Sequence, residues 1–200
     1  MSNKVDDIKK RAEESGGLVK TSDIQELGNN RTYIKGLVDS GFLVRESHGI
    51  YSVKGENSNE FAIIQKRSTK LIFSYGTALF FHGLSEKVPG HIDVTVPQGY
   101  NVSRIKKSFD NLRFHYVKPE VLMEGVEKLS TPQGTKVCVY NKERCICDLV
   151  KSEGNIDKQI YTQALQIYFA NYLKTRELIK MAKIIGVEKE VRRYMEVLQK

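Results

Sequence analysis

Hydrogen-bond donors are concentrated in the segment NNRTYIK, residues 29–35. Asn, Arg and Thr side chains donate to base edges and to phosphates, and an arginine such as Arg31 can bind a guanine through two hydrogen bonds. A second group of donors follows in the segment RESH, residues 45–48. These residue types predict contact with duplex DNA. The candidate DNA-binding residues are Lys20, Asn29, Asn30, Arg31, Thr32, Tyr33, Lys35, Arg45, Ser47 and His48.

The segment HIDVTV, residues 91–96, is the strongest candidate for a catalytic strand. It resembles the strand on which nucleotidyltransferases carry an Asp-x-Asp pair, but His91 occupies the first acidic position and leaves Asp93 alone. Two-metal phosphoryl transfer needs several converging carboxylates. No Gly-Ser nucleotide-binding turn precedes this strand at a suitable distance, and FSYG at residues 73–76 is the nearest approach. We therefore predict no catalytic residue, no metal and no cofactor.

The three cysteines, Cys138, Cys145 and Cys147, offer no better catalytic arrangement. An odd, clustered set cannot form a disulfide framework, and the C-x6-C-x-C spacing does not match a zinc site. Cys145 or Cys147 could pair with His115 as nucleophile and base, but apolar neighbours favour buried thiols on a helix. His82 also has apolar neighbours and is predicted to be a core histidine.

The donors at residues 29–35 require a helix to present them, and the first third of the chain has helical periodicity. Residues 4–14 predict a first helix, and Thr21 or Ser22 caps a short second helix with Ile24 and Leu27 facing inward.

Asn30 is predicted to cap a third helix, in which Ile34, Leu37 and Val38 repeat at i, i+3 and i+4 until Gly41 ends it. A helical wheel places the remaining side chains on the solvent side. The predicted outer face carries Thr32, Lys35, Gly36 and Asp39, with Tyr33 at its margin.

A β-hairpin is predicted after the third helix. Residues 42–44 and 50–53 are rich in β-prone side chains and flank the turn-like segment ESHG. Three short helices followed by a hairpin predict a winged helix-turn-helix. In this fold the second helix of the helix-turn-helix presents its amino-terminal residues to the major groove, and its backbone amides favour a phosphate.

Residues 55–59 are polar and contain no core residue, so we predict a linker there. The predicted organisation is a winged helix-turn-helix at residues 1–54, the linker, and a second domain at residues 60–200. The second domain has predicted strands at 91–97, 112–117, 126–129 and 136–140, helices at 60–66, 75–82 and 102–109, and four helical segments from residue 141 onward. The fold class is therefore α+β, with an N-terminal winged helix-turn-helix followed by a mixed α/β domain that has a small sheet and a helical C-terminal tail.

The formal net charge of +8 is unevenly distributed. Residues 1–54 hold nine Lys or Arg against eight Asp or Glu, whereas residues 55–200 hold 23 against 16. DNA recognition by the first third must therefore depend on local geometry, while the excess charge of the remainder suggests a polyanionic partner or an ordinary solvated face. One basic cluster consists of Arg104, Lys106, Lys107, Arg113 and Lys118, and a second consists of Lys174, Arg176, Lys180, Lys183, Lys189, Arg192 and Arg193.

Three segments together resemble the AbiEi family, the antitoxins of type IV (AbiE abortive-infection) toxin-antitoxin systems. They are GFLVRESHGIYSV, FSYGTALFFHGLSEKVPGHIDVTVPQGY and NKERCICDLVKS. Within them, the resemblance depends on Ser74, Ala78, the triplet His82-Gly83-Leu84, the triplet Thr95-Val96-Pro97, and the set Glu143, Arg144, Asp148 and Leu149. The similarity extends over most of the chain and is weakest from Ile156 onward.

The resemblance implies a bifunctional protein. In the family, the winged helix represses its own operon at inverted repeats, and the C-terminal domain counteracts a nucleotidyltransferase-like toxin, AbiEii, without depending on a stable complex. By position, Arg31 to Lys35 would form the recognition helix and Arg45 to His48 the wing. Inverted repeats require two copies of the domain on one operator. The residues that carry antitoxicity are not implied, so the cluster from Arg104 to Lys118 is assigned to that surface from charge alone.

Two other interpretations remain open. One is a divergent nucleotidyltransferase that uses Asp93 and a metal, with the winged helix as a fused regulatory domain. The other is a winged helix that docks to proteins.

The chain lacks an apolar run of the ~20 residues that a membrane span needs, and its start lacks the apolar core of a secretory signal, so we expect a cytoplasmic protein.

Overall fold

The computed structural model describes residues 4–55, 59–131, 135–153 and 156–198. The protein is a mixed α+β structure with helices and two sheets. It divides into two compact units: Met1–Thr69 with Ser130–Val137 form the first, and Lys70–Leu129 with Cys138–Lys200 form the second. No helix in the described part of the chain is long and apolar enough to cross a membrane.

The first unit alternates helices and strands in the order expected, with one additional strand. Its elements are α1 (Lys4–Glu13), β1 (Leu18–Lys20), α2 (Thr21–Glu26), α3 (Arg31–Asp39), β2 (Leu43–Ser47), β3 (Ile50–Val53) and α4 (Glu60–Arg67). The three strands form an antiparallel sheet in the order β1-β3-β2. Strand β1 was not predicted because three residues are too few to show an alternating pattern.

Most local signals in the first unit act as the sequence indicates, but the predicted cap of α2 was wrong, because the N-cap is Lys20 and not Thr21 or Ser22. The side chain of Asn30 accepts a hydrogen bond of 2.8 Å from the Tyr33 amide and so caps α3. Gly41 follows α3 with φ of +71°, a conformation that L side chains rarely adopt. Ile24 is buried as predicted. The prediction for Leu27 was wrong, because 37% of this residue is exposed where the chain turns between α2 and α3.

Helix α4 belongs to the first compact unit, so the division between units falls after Thr69 and not within the predicted linker. Asn59 caps α4 by accepting a hydrogen bond from the Ala62 amide, and its own amide group donates to the Thr131 hydroxyl at 2.8 Å. These contacts attach α4 to the first unit. Residues 56–58 of the predicted linker lie outside the described residues.

The second unit combines a mixed sheet with a helical carboxy-terminal part. Its elements are β4 (Ile72–Phe73), α5 (Tyr75–Phe81), β5 (Ile92–Pro97), α6 (Ser103–Lys106), β6 (Leu112–Val117), β7 (Val126–Ser130), β8 (Lys136–Tyr140), α7 (Lys142–Lys151), α8 (Lys158–Asn171), α9 (Thr175–Ile185) and α10 (Glu188–Leu198), with a 3-10 turn at Pro119–Val121. The strand order is β6-β5-β4-β8-β7, and the end of β7 (Ser130) and the start of β8 (Lys136 and Val137) belong to the first unit. Strand β5 pairs parallel to β6 and antiparallel to β4.

Differences from the expected elements of this unit are few. The predicted basic helix at 102–109 is reduced to α6, because Ile105 is the one side chain that α6 itself buries. Strand β4 was not predicted because only two residues pair. The fully buried strand β5 supplies Val94 and Val96 to the core. It also carries Asp93, which is 5% exposed, onto the sheet beside β6.

Candidate nucleic-acid interface

Helix α3 and the β2-β3 hairpin line one concave groove of about 530 Å³. Its described lining contains three basic side chains and a histidine, and none of its described lining residues is acidic. This uniform sign is local, since the first 54 residues are almost neutral in total. A groove of this charge favours an anionic partner. The lining residues are Thr21, Arg31, Ile34, Lys35, Val38, Arg45, His48, Gly49 and Tyr51.

The position of the α3 cations follows from where the helix begins. Because Asn30 is the N-cap, Arg31 is the first helical residue and Lys35 lies one turn later on the same side. Ile34 and Leu37 are buried and fix the rotation of the helix against the core. Arg31 and Lys35 are therefore exposed at the side of α3 that faces the hairpin groove.

The tip of the hairpin is held by contacts from two other elements. The Thr21 amide at the start of α2 donates to the Gly49 carbonyl at 3.0 Å. The guanidinium of Arg67, at the end of α4, donates to the His48 carbonyl at 2.6 Å. Within the tip, Arg45 donates to Nδ1 of His48 at 3.4 Å. The tip is thus a supported loop that keeps Arg45 and His48 beside α3.

Sequence reasoning missed Arg67. It lies on a helix that was assigned to the second domain, and its partner is 19 residues earlier in the chain. The only available signal was a basic residue in the last turn of a helix, which is common because it complements the helix dipole.

A second groove, of about 470 Å³, runs along the opposite side of α3. Asn30, Thr32, Tyr33 and Gly36 line it, so the predicted outer face is divided between two grooves. Lys4 of α1, which was not predicted, also lines this groove, and its ammonium lies 5.7 Å from the centre of the Tyr33 ring. Both grooves border the exposed ridge of α3, which carries Thr32 and Gly36.

Three predicted DNA-binding residues are placed differently from the rest. Asn29 is 5% exposed, and its amide group donates to the Leu27 carbonyl in the turn before α3. The hydroxyl of Ser47 is buried beside the irregularity between Arg45 and Ser47 in β2. Lys20 is half-buried at the junction of β1 and α2, where its amide donates to Asp23. Asn29 still lines the second groove, whereas Lys20 and Ser47 line neither groove.

The structure divides the first predicted basic cluster of the second unit between exposed surface positions and the lining of a cavity. Arg104, Lys106 and Lys107 are exposed on or just after α6, and Lys118 is exposed beyond β6. Arg113 instead lines a cavity that contains Asp93.

Among the described residues, no three His, Cys, Asp or Glu side chains converge in a way that could hold a metal ion.

The histidine and cysteine predictions are confirmed where the structure tests them. His82 is buried and donates from Nε2 to the Tyr140 carbonyl at 2.7 Å, and burial lowers its pKa. Cys145 and Cys147 are buried on α7. Burial raises the pKa of Cys147 to about 12 and that of Cys145 well above its ordinary value, so both thiols stay protonated at neutral pH.

The side chains of the motif residues in the second unit are buried in its interior, and only Gly83 of the motif is exposed. The Thr95 hydroxyl donates to the Ser74 hydroxyl at 2.8 Å. The guanidinium of Arg144 pairs with Asp148 at 2.9 Å and donates to two backbone carbonyls in the loop before β7. Such contacts explain the motif as part of the core.

The first unit combines short helices, a β-hairpin and a groove lined by basic side chains. Residues 6–54 match the family model described as transcriptional regulator, AbiEi antitoxin. This match confirms the resemblance to the AbiEi family over residues 6–54, which lie within the unit that carries α3 and the hairpin. The family supports a role as antitoxin and regulator, with DNA and a toxin as partners in general terms.

The whole chain also resembles a solved structure, the RV2827C protein from Mycobacterium tuberculosis. The similarity has a TM-score of 0.61 at 11% sequence identity and covers 100% of this chain and 82% of that one. At this identity the likeness concerns the fold alone. No curated protein sequence matches the chain.

Proposed function

We propose that the first unit is a winged helix-turn-helix that binds duplex DNA in the promoter of its own operon. Helix α3 would lie in the major groove, and the β2-β3 hairpin would act as the wing near the phosphates or the minor groove. The observation that carries this proposal is the groove where Arg31, Lys35, Arg45 and His48 meet without a carboxylate among the described lining residues.

The chemistry of these side chains suits two kinds of contact. Arg31, at the amino end of α3, is placed for a bidentate contact with guanine. Lys35 and Arg45 supply positive charge for phosphates, whose neutralisation releases counterions and makes binding dependent on salt. Asn29 borders the second groove but is only 5% exposed, and the Ser47 hydroxyl is buried, so we propose no direct DNA contact for either and add Lys4 and Arg67 as candidate residues of the interface.

The wider function follows the family. The protein would act in the cytoplasm as an autorepressor on inverted repeats, with two copies on each operator. The second unit would oppose a nucleotidyltransferase-like toxin without a stable complex and without catalysis of its own. Arg104, Lys106, Lys107 and Lys118 remain the proposed surface for that activity, because they are exposed cations of the second unit.

The test is a fluorescence-anisotropy titration of the full chain with the duplex upstream of its gene and with a scrambled duplex, at two salt concentrations. We expect Arg31→Ala to weaken binding to the upstream duplex by about 1–3 kcal/mol and to affect the scrambled duplex much less. Lys106→Ala, an exposed cation of the other unit, is the matched control and should change both affinities alike.

Each outcome bears on the assignment. Equal losses on both duplexes for Arg31→Ala would argue against α3 as the recognition helix. Absence of any salt-dependent binding would overturn the proposal in favour of a protein-docking winged helix.

A further inference from the structure

The second unit contains a cavity of about 450 Å³ that the DNA interface does not use. It lies between the start of α5, strands β5 and β6, and described residues at the end of α7 and the start of α8. Its volume is in the range of sites that hold small organic ligands. The buried carboxylate of Asp93 is at one end of it.

Asp93 organises a short chain of polar groups. Nε2 of His115 donates to Oδ1 of Asp93 at 2.8 Å, and Nε of Arg113 lies 3.9 Å from the same oxygen. The two basic residues alternate along β6, whose register places them next to Asp93 on one face of the sheet. The carboxylate therefore fixes the orientation of the imidazole and leaves its Nδ1 side for another partner.

The cavity wall beside these polar groups contains a residue with a strained backbone. Tyr75 has a φ of +44° and is the only non-glycine residue with positive φ among the described residues. Its ring stacks on that of His115 with centroids 3.9 Å apart. The next residue, Gly76, approaches so closely that a Cβ there would lie 3.0 Å from Oδ2 of Asp93. Strain of this kind costs about 1–3 kcal/mol and persists where the surroundings impose it, most often at binding sites.

The acceptors of the cavity already have hydrogen-bond or ion-pair partners, whereas some of its donors do not. Both carboxylates have partners: Asp93 has His115 and Arg113, and Asp157 accepts from Lys87 at 3.1 Å and from backbone amides of α8. Arg113 is half-exposed and has five N–H donors, and within the described part of the chain only its Nε lies near a carboxylate, that of Asp93. The cavity thus offers free donors on Arg113, which suit an anionic group, while its two cations and two carboxylates balance in formal charge.

The rest of the lining is apolar. Leu79, Pro89, Leu149, Ile156 and Ile160 form the remaining walls. Such walls suit an uncharged, flat body, and the polar end suits a phosphate attached to it. We propose that this cavity binds a nucleoside monophosphate, with the phosphate at Arg113 and Lys87 and the base against the apolar wall. His115, oriented by Asp93 in the same cavity, would hydrogen-bond the ligand.

The test is isothermal titration of the full chain with adenosine and uridine 5′-monophosphates, with the corresponding nucleosides, and with inorganic phosphate. We expect one of the nucleotides to bind, and its nucleoside and free phosphate to bind at least about tenfold more weakly, since each lacks one half of the contacts. No binding of either nucleotide with a dissociation constant below about 1 mM would overturn the proposal, as would phosphate binding as tightly as the nucleotides.

Two variants locate the site. Arg113→Ala removes an exposed cation and should weaken nucleotide binding at least about tenfold, whereas Arg176→Ala, which removes an exposed cation outside the cavity, should not. Gly90→Phe should abolish binding by filling the cavity, since a Cβ at Gly90 meets no atom within 4 Å and the backbone tolerates a side chain. If Arg31→Ala weakened nucleotide binding instead, the ligand would be in the DNA groove and the proposal would fail.

Discussion

Arg144 shows how a charged residue in a recognisable motif serves the core. It is 1% exposed, lies 4.2 Å from the centre of the Tyr140 ring, and donates to the carbonyls of Val121 and Glu124 as well as to Asp148. One side chain therefore joins α7 to the loop that precedes β7. Gly125 in that loop has a φ of +77°, and a Cβ there would lie 2.9 Å from the Arg144 side chain.

Arg144→Met should reduce the free energy of unfolding by about 3–5 kcal/mol, because it leaves the buried carboxylate of Asp148 without its counter-charge. Urea denaturation followed by circular dichroism measures this change. The double variant Arg144→Met/Asp148→Leu should recover part of the loss, because it removes both charges. A double variant no more stable than the single one would show that the carbonyl contacts, and not the ion pair, dominate.

At the scale of elements, α3 combines a buried stripe with an exposed ridge between two grooves. Gly36 lies on this ridge, has an ordinary helical φ, and has open space where a side chain would be. Glycine weakens a helix interior by about 0.5–1 kcal/mol relative to alanine. A glycine on a binding face allows the helix backbone to approach its partner closely.

Gly36→Ala should therefore raise the free energy of unfolding by about 0.5–1 kcal/mol and weaken binding to the upstream duplex. Thermal denaturation and anisotropy on the same preparation give both quantities. A more stable protein with unchanged affinity would place the ridge of α3 away from the DNA.

At the scale of the whole molecule, protons that buried groups retain link stability to pH. Burial raises the pKa of Cys147 from 9.0 to about 12, and it also raises the pKa values of Cys145, Tyr140 and Tyr168. All four lie in the second unit. The unfolded chain releases these protons at lower pH than the folded chain does. Their contribution to stability is therefore complete below the unfolded pKa and is lost as the pH rises towards the folded pKa.

We expect the free energy of unfolding to fall as the pH rises above about 9, with up to about 1.4 kcal/mol per pH unit from each buried thiol. Urea denaturation at several pH values from about 8 to about 10.5 gives the slope. Cys147→Ala should have a shallower slope than the wild-type protein. Equal slopes for the two proteins would contradict a buried, protonated thiol at this position.

The sequence alone determined the features that depend on neighbouring residues. Asn30 as a helix cap, the i, i+3, i+4 stripe of α3, the hairpin after it and the apolar surroundings of His82 are all set by contacts within a few residues or by the burial of adjacent side chains. The family resemblance could also be seen in the sequence, because it depends on short segments of neighbouring residues.

The tertiary structure decided which side chains meet across the chain. It buried Asn29, placed Arg67 on the carbonyl of a residue 19 positions earlier, and brought His115 to Asp93 across two parallel strands. These pairings depend on strand register and on the packing of separate elements, which periodicity does not encode. The direction in which a polar side chain points is therefore known only once the core has fixed the rotation of its helix or strand.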